Sequence, residues 1–202
     1  MKIKSICVVG VDGTGKSSIV ESLRKTIGDD KTIVQYMGSR QWESPLAIKY
    51  LTNGRKGGGV VKNLMTIIAF IYEMYYRVLK HRKESRLVIF DRYVDEKILS
   101  FKNKKGGLSH MVILFLYLFF LKWLFHKPCF SFYLTCPLEV SFERKTDIET
   151  EYEKQKLKKT KEFLDVYYGE REKTRVIDTS LFSQEETLRI IMETLREYNL
   201  LS

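Results

Sequence analysis

The sequence predicts an α/β fold built on a parallel β-sheet, and two observations carry that prediction. Short apolar runs alternate along the chain with longer segments of helical periodicity, the order in which helical crossovers join parallel strands. The first apolar run ends in a glycine-rich turn that leads directly into a helical segment. Ligands of such sheets bind beyond the carboxyl ends of the strands, so candidate functional residues are expected there.

The elements follow from local patterns in chain order. Continuous apolar runs predict five strands, at residues 5–10, 32–37, 87–90, 130–135 and 174–178. Helical patterns cover residues 16–27, 60–82 and 139–145, and a last helix runs to about Tyr198 after the capping box Ser183-x-x-Glu186. Residues 38–59 contain Pro45 and three consecutive glycines and are predicted to be a loop.

Composition sets the class of protein. The chain has 202 residues, of which 44% are hydrophobic, which predicts one globular domain over residues 1–202 and excludes a disordered chain. Lys and Arg exceed Asp and Glu by 35 to 25, and this surplus of positive charge predicts an anionic partner. Three cysteines without metal-ligand spacing and a short N-terminus without a secretory signal indicate reduced thiols and a cytoplasmic protein.

Residues 10–17, Gly-Val-Asp-Gly-Thr-Gly-Lys-Ser, match the phosphate-binding pattern G-x-x-x-x-G-K-[ST] between a strand and a helix. Glycines let backbone N–H groups approach phosphate oxygens, and the helix that follows adds the positive end of its dipole. Lys16 would bind the β- and γ-phosphates of ATP, and the Ser17 hydroxyl would bind Mg²⁺. The nucleotide-binding residues predicted from this segment are Gly10, Asp12, Gly13, Thr14, Gly15, Lys16, Ser17 and Ser18.

Asp91 and Arg92 directly follow the third strand, at the predicted phosphate-binding edge of the sheet. A carboxylate there can hold Mg²⁺ through water, and the planar guanidinium can bridge the donor and acceptor phosphates. The alternative is an ordinary surface ion pair. The Asn-Lys-x-Asp pattern of regulatory GTPases is missing, because Asn103-Lys-Lys is followed by Gly106, and this disfavours a guanine-nucleotide switch.

The chain resembles the thymidylate kinase family of nucleoside monophosphate kinases. The phosphate loop with Asp12 and the segment Asp91-Arg-Tyr-Val-Asp95 resemble two signatures of that family. Leu134–Arg144 is similar to the segment leading into the family's lid, and Ile177–Ser180 resembles its adenine-side loop.

The resemblance implies the strand order 2-3-1-4-5, a lid around residues 144–160 and a homodimer. It also implies phosphoryl transfer from ATP·Mg²⁺ to a (deoxy)nucleoside monophosphate, and the conversion of dTMP to dTDP is the first reaction to consider. It implies that Asp12 lies near the acceptor sugar, that Arg92 holds the acceptor phosphate, and that Arg144 closes from the lid as a catalytic residue. It also places Asp178 and Thr179 beside the adenine.

The predicted acceptor site departs from the family pattern. Met37-Gly-Ser-Arg40 replaces the family's Arg-Glu-Pro-Gly, so Arg40 is the candidate for the missing phosphate-binding arginine. Phe70 would stack on the base, but Met74 stands where the family has a base-reading arginine. Glu73 and Arg77 are candidate acceptor ligands, and the alternative is that they form an i,i+4 ion pair.

These departures leave two other functions open. One is a thymidylate kinase-like enzyme that acts on a different phosphorylated or hydroxylated metabolite. The other is a non-catalytic nucleotide-binding or nucleic-acid-binding protein, although the sequence contains no known nucleic-acid module.

Two further segments each allow more than one interpretation. The charged residues at 143–160 suit either lid cations or a solvated helix face. The apolar run at 111–121 is too short to cross a bilayer. It suits a buried helix or dimer interface, and less well an interfacial membrane helix or the wall of a site for a lipid-like acceptor.

Overall fold

The structure is a computed structural model that describes residues 3–38, 41–52, 60–93, 127–145 and 150–201. The chain divides into two compact units. The sheet unit comprises residues 3–36, 84–93 and 128–202, and the helical unit comprises residues 1–2, 37–83 and 94–127. The prediction of a single domain stays a prediction.

The sheet unit contains the five predicted strands, all parallel. They are β1 (Ser5–Val9), β2 (Thr32–Tyr36), β3 (Leu87–Asp91), β4 (Phe130–Thr135) and β5 (Thr174–Asp178). Their order is β2-β3-β1-β4-β5, which confirms the order that the family resemblance implies. Strand β1 lies in the centre, with Val8 opposite Asp91 of β3 and Val9 opposite Tyr133 of β4. The carboxyl ends of β1, β3 and β4 therefore meet at one edge.

Alternate side chains of the central strands point to opposite faces of the sheet, and each face is covered by helices. Even-numbered side chains of β1 and β4, such as Ile6 and Phe132, form a core with α1 (Lys16–Ile27). The C-terminal helix Gln184–Glu197 packs into the same core through Ile191 and Leu195. Residues on the other face of β4 include Tyr133, whose ring stacks on Tyr168 at 5.6 Å. Because β1 is buried along its whole length, its apolar run is continuous rather than alternating.

The other helices of the sheet unit follow in chain order. Helix α1 begins immediately after Gly15 and ends at Gly28, as the sequence predicts. The short helix predicted after β4 is Leu138–Arg144, and a longer one, Glu151–Gly169, follows it. The C-terminal helix has the predicted capping box between Ser183 and Glu186. Numbered in chain order after the two helices of the helical unit, Leu138–Arg144 is α4, Glu151–Gly169 is α5 and Gln184–Glu197 is α6.

The helical unit corrects one prediction. Residues 38–59 are not loop throughout, because α2 (Pro45–Ala47) and a π-helical turn (Ile48–Thr52) lie within them. The Ser44 hydroxyl accepts a hydrogen bond from Ala47 N–H at 3.2 Å, and proline is favourable at the first helical position. This helix is too short for a periodic pattern to reveal. Helix α3 spans Val60–Leu79 and ends three residues before the predicted end.

Some predictions fall on residues that the structure does not describe. The apolar run at 111–121 and Arg40 lie outside the described residues. In the described part of the chain, no helix has the length and apolar character needed to span a membrane. All three cysteines are free thiols.

Candidate active site

The loop between β1 and α1 has the backbone geometry that its glycines permit. Gly10, Gly13 and Gly15 all have positive φ angles, and Gly15 is the N-cap of α1 without a side-chain cap. The Thr14 hydroxyl donates to the Val11 carbonyl at 2.8 Å, which closes the turn from inside. The loop therefore leads into the positive end of α1, an arrangement that suits an anion.

Helix α4 packs directly on this loop. A Cβ atom on Gly13 would lie 2.6 Å from the carbonyl oxygen of Ser141 and 2.7 Å from its hydroxyl oxygen, so only glycine fits. The fully buried Ser141 donates from its hydroxyl to the Asp12 carbonyl. The phosphate loop and α4 are thus held together, and the residues that follow Ser141 lie beside the loop.

Three cations surround the carboxylate of Asp12. Arg92 Nη2 lies 2.6 Å from Oδ1, Lys145 Nζ lies 3.0 Å from Oδ2, and Lys16 Nζ lies 4.0 Å from Oδ1. Lys16 also donates to the Val11 carbonyl, and its side chain is only 5% exposed. The structure thus brings together three of the predicted site residues, Asp12, Lys16 and Arg92, and adds Lys145.

The electrostatics of Asp12 follow from this cluster. Burial raises the pKa of its carboxyl, but the positive charge and hydrogen bond of Arg92 lower it, and so do Lys16 and Lys145. The cations prevail, and the pKa of Asp12 lies well below its usual range. Asp12 is therefore an anion at neutral pH and screens three positive charges from one another.

Arg92 occupies an unusual backbone conformation. Its φ angle is 68°, in the left-handed region, and its N–H donates to the Val8 carbonyl at 2.9 Å. An arginine there costs about 1 kcal/mol relative to glycine. The strained turn directs the guanidinium from the end of β3 towards the loop after β1, where it pairs with Asp12. Its role in binding an acceptor phosphate stays a prediction.

Asp91 and Ser17 are the predicted Mg²⁺ ligands. Asp91 is the last residue of β3, and Ser17 lies exposed in the first turn of α1. Both offer hard oxygen atoms, the donor type that Mg²⁺ prefers. Asp91 ends β3, and Ser17 lies in the helix that follows β1, the neighbouring strand of the sheet. The donor set fits Mg²⁺.

A cavity of about 240 Å³ lies beside the loop, between α1 and the segment after β5. Arg144 lines this cavity and donates to the Thr179 hydroxyl at 3.1 Å and to its carbonyl at 2.9 Å. Asp178 accepts two hydrogen bonds from Ser180 instead, at 2.9 and 2.6 Å. The cavity is lined by Thr14, Gly15, Ser18, Ile19, Arg144, Thr179, Phe182, Ser183, Gln184 and Thr187.

Another cavity, of about 260 Å³, lies at the opposite edge of the sheet. Lys4, Lys31 and Arg86, which precede β1, β2 and β3, are among the residues that line it. Ligands of parallel sheets bind at the carboxyl ends of the strands, so the cavity beside the phosphate loop is the candidate nucleotide site.

The predicted acceptor residues of α3 form a closed ion pair in the helical unit. Arg77 Nε donates to Glu73 Oε1 at 2.7 Å, and both side chains are almost fully buried. Glu73 also accepts the backbone N–H groups of Glu43 and Ser44, each at 2.7 Å. The ion-pair interpretation is confirmed: the pair holds the segment before α2 against α3.

Further contacts occupy the other predicted acceptor residues of α3. Arg77 also donates to the carbonyls of Gly38, at 2.8 Å, and Gln41. Phe70 is 8% exposed, with its ring edge-on to Trp42 at 6.1 Å, and Met74 is fully buried. The acceptor-binding roles of Phe70, Glu73 and Arg77 therefore stay predictions, and the polar groups of the last two already serve the fold.

Comparison with known proteins identifies the family. The thymidylate kinase family model matches residues 8–190. The chain belongs to the thymidylate kinase family. No curated protein sequence matches it. As a member of this family, the protein is a phosphotransferase of the nucleoside monophosphate kinase type.

Solved structures share the fold of this thymidylate kinase family member. Thymidylate kinase from Candida albicans superimposes with a TM-score of 0.71 at 18% identity, over 98% of this chain and 93% of that one. Deoxyadenosine kinase from M. mycoides with bound dATP gives a TM-score of 0.65 at 18% identity, over 97% and 100%. The same enzyme with dCMP and dCDP gives 0.63 at 19% identity, over 96% and 99%.

Two residues of the site escape sequence reasoning. Ser141 carries no sequence signal, because its contact with Asp12 spans 129 residues of the chain. Lys145 is one cation among many in a charged segment, and spacing alone does not distinguish it. Only the packing of α4 on the phosphate loop singles out these two residues in this thymidylate kinase family member.

Proposed function

We propose that the protein transfers the γ-phosphoryl group of ATP to a (deoxy)nucleoside monophosphate, with thymidylate the first acceptor to test. The phosphate loop, Lys16 and the N-terminus of α1 bind the donor phosphates. The cavity lined by Arg144 and Thr179 takes the base of the donor nucleotide. The observation that carries the proposal is the convergence of Lys16, Arg92 and Lys145 on one carboxylate of the phosphate loop.

Mg²⁺ belongs to this proposal, with Ser17 and Asp91 as its protein ligands. When bound, the ion would supply positive charge to offset the negative charge that develops on the phosphate oxygens during transfer. Ser17 supplies a hydroxyl from the first turn of α1, and Asp91 supplies a carboxylate from the end of β3.

The chain's own residues position the reactants and stabilise charge. Arg92 offers a planar fork of N–H groups that can hold the acceptor phosphate next to the donor phosphates. An acceptor phosphate is already an anionic nucleophile, so the transfer requires no general base. Catalysis would then come from orientation and from positive charge around the transferring group.

The contacts of α3 bear on which substrate accepts the phosphoryl group. Glu73 and Arg77 bind each other and neighbouring backbone groups, and Met74 offers no hydrogen bond to a base edge. These observations favour a second candidate, transfer to a different phosphorylated or hydroxylated metabolite. The fold shared with a deoxyadenosine kinase supports the inclusion of nucleosides among the candidates.

A panel of acceptors tests both candidates. ADP formation would be measured from ATP·Mg²⁺ with each deoxynucleoside monophosphate and each deoxynucleoside in turn. Turnover fastest with dTMP supports the first candidate, and turnover with nucleosides or with none of the panel supports the second. A protein that binds ATP but shows steeply salt-dependent nucleic-acid binding and no turnover would instead be a non-catalytic binding protein.

Location and assembly are part of the same proposal. We place the enzyme in the cytoplasm, as a homodimer, because the family resemblance implies a dimer and the three thiols are free. Sedimentation of the purified protein tests the dimer.

A further inference from the structure

The cavity at the amino ends of the strands takes no part in the proposed phosphotransfer. Its volume is about 260 Å³, against about 240 Å³ for the cavity beside the phosphate loop. We call it the amino-edge cavity, and it is lined by residues 4, 27, 30–31, 85–87 and 200–201. These residues come from the segments that precede β1, β2 and β3 and from the chain after α6, and all of them lie in the sheet unit.

One wall of the amino-edge cavity is apolar. Its four side chains belong to the core of the sheet unit or pack against it, and they are Ile27, Leu87, Leu200 and Leu201. After α6, Asn199 has a left-handed φ of 52°, and the Leu200 N–H donates at 2.8 Å to a carbonyl five residues earlier. This is the Schellman pattern that closes many helices, and it directs the apolar residue towards the core. The apolar wall is therefore held in place by the backbone.

The other wall carries positive charge. Lys4, Lys31 and Arg86 precede three neighbouring strands of the sheet. Arg86 pairs with Glu84 at 3.2 Å. Within the residues that the structure describes, the ammonium groups of Lys4 and Lys31 form no ion pair. When Asp30, which also lines the cavity, and Glu84 are counted against the three cations, a net charge of +1 remains.

The backbone around the two lysines is satisfied without their side chains. The carbonyls of Lys4 and Lys31 each accept an N–H group of β3 at 2.9 Å, so both residues are anchored to the sheet. At the end of α1, the Gly28 carbonyl accepts the Lys31 N–H at 3.1 Å and the Thr32 hydroxyl at 2.8 Å. The ammonium groups of Lys4 and Lys31 therefore stand on fixed backbone positions beside an apolar wall, an arrangement that suits an anion with a hydrocarbon part.

We propose that the amino-edge cavity binds a small amphipathic anion. Its carboxylate or phosphate group lies at Lys4 and Lys31, and its hydrocarbon part lies against the apolar wall. A cavity of about 260 Å³ holds about nine groups that each take about 30 Å³, the share of a water molecule, which predicts a ligand of about eight to ten non-hydrogen atoms. The proposal does not depend on phosphotransfer, because the amino-edge cavity and the phosphate loop lie at opposite edges of the sheet.

Calorimetry with a series of probes tests the two parts of the ligand, with ADP·Mg²⁺ present at saturation to occupy the phosphate loop. From butanoate to octanoate, each added methylene should lower the Kd by about fourfold. Octanol, which lacks the charge, should bind about tenfold more weakly than octanoate. Octyl phosphate is compared with octanoate, and the tighter of the two identifies the anionic group. Equal affinity of octanol and octanoate, or no dependence on chain length, would overturn the proposal.

Matched substitutions locate the bound probe. The double variant Lys4→Gln, Lys31→Gln should weaken octanoate binding by about tenfold, whereas Lys25→Gln, at a 71% exposed lysine of α1, should not. Leu201→Ala should weaken it by about fivefold, and Leu181→Ala, at a 73% exposed leucine after β5, should leave it unchanged. Unfolding temperatures establish that each variant is folded.

Two results would place the probe elsewhere. Octanoate that competes with ADP·Mg²⁺ would be bound at the phosphate loop, and equal octanoate affinities in the cavity variants and their controls would show that the amino-edge cavity does not hold it. Either result overturns the proposal. If the acceptor panel finds no phosphotransfer, the proposed function fails, and the octanoate titrations of the variants still decide whether the amino-edge cavity is a ligand site.

Discussion

The guanidinium of Arg92 lies 2.6 Å from the carboxylate of Asp12, a residue 80 positions earlier in the chain. Strands β1 and β3 are neighbours in the sheet, so the loop after β1 and the turn after β3 meet at one edge. The contact brings together the two motifs that the sequence singles out, and it requires Arg92 to adopt a left-handed backbone conformation. The proposed chemistry depends on this junction.

Lys16→Met should abolish phosphoryl transfer in a folded protein. Methionine keeps the apolar part of the buried side chain but loses the charge that the donor phosphates require. We expect kcat/KM to fall by about 10³-fold or more. ADP formation and the unfolding temperature would be measured together, and activity near that of the wild type would remove Lys16 from the site.

Arg92→Ala should impair acceptor use more than ATP binding, because Arg92 is assigned to the acceptor phosphate. The acceptor KM is expected to rise by about tenfold or more, with a smaller change in the Kd of ATP. Arg92→Gly is the matched variant. It lacks the same side chain but suits the φ of 68°, so it should be about 1 kcal/mol more stable than Arg92→Ala in urea unfolding. Equal effects on both substrates would contradict the assignment.

Gly13→Ala should damage the phosphate loop far more than Gly15→Ala. A Cβ at Gly13 would meet backbone and side-chain oxygens of Ser141 at 2.6 and 2.7 Å, whereas a Cβ at Gly15 would have no atom within 4 Å. Both positions have positive φ, so both substitutions cost about 1 kcal/mol of strain, and only Gly13→Ala adds a steric clash. Urea unfolding of the two variants measures the difference, and equal stabilities would show that α4 does not pack on the loop as described.

Glu73→Gln should destabilise the fold without a direct effect on nucleotide chemistry. Removing one member of a buried ion pair leaves the other charge uncompensated, and we expect a loss of about 3–5 kcal/mol in the free energy of unfolding. Glu193→Gln, on the exposed face of α6, serves as control and should change stability by less than about 0.5 kcal/mol. A Glu73→Gln protein as stable as the wild type would mean that the pair does not hold the segment before α2.

The stabilisation by Glu73 should depend on pH in a defined direction. Burial raises the pKa of its carboxyl, but hydrogen bonds from Ser44, Glu43 and Arg77 lower it below the ordinary value. A lowered native pKa means that the unfolded state binds more protons, so stability rises with pH across this range. The contribution is complete above the unfolded value of about 4.3 and is lost as pH falls from there through the native pKa. The gap in unfolding free energy between wild type and Glu73→Gln should be constant from about pH 5.5 to 7 and narrow below about pH 4. A constant gap down to pH 3 would contradict the lowered pKa.

Much of the fold can be read from local sequence. All five strands occur where apolar runs predict them, and α1 and α6 have the predicted ends because glycine and a capping box mark them. The prediction failed within residues 38–59, where proline and glycine indicate a loop but Ser44 starts a short helix. A three-residue helix has no periodicity, so nothing in the spacing of its residues could reveal it.

The residues of the candidate site also fall into two groups, those that local sequence predicts and those that only the structure reveals. The sequence by itself determined the phosphate loop, the Asp91-Arg92 motif and the family, because each depends on a contiguous pattern of residue types. Only the tertiary structure decided that Glu73 and Arg77 close on each other and on the segment before α2, and that Lys145 rather than Arg144 contacts Asp12. The physical reason is separation along the chain. Lys145 and Asp12 are 133 residues apart, and their contact exists because β1 and β4 are neighbours in the sheet and α4 packs on the loop between β1 and α1.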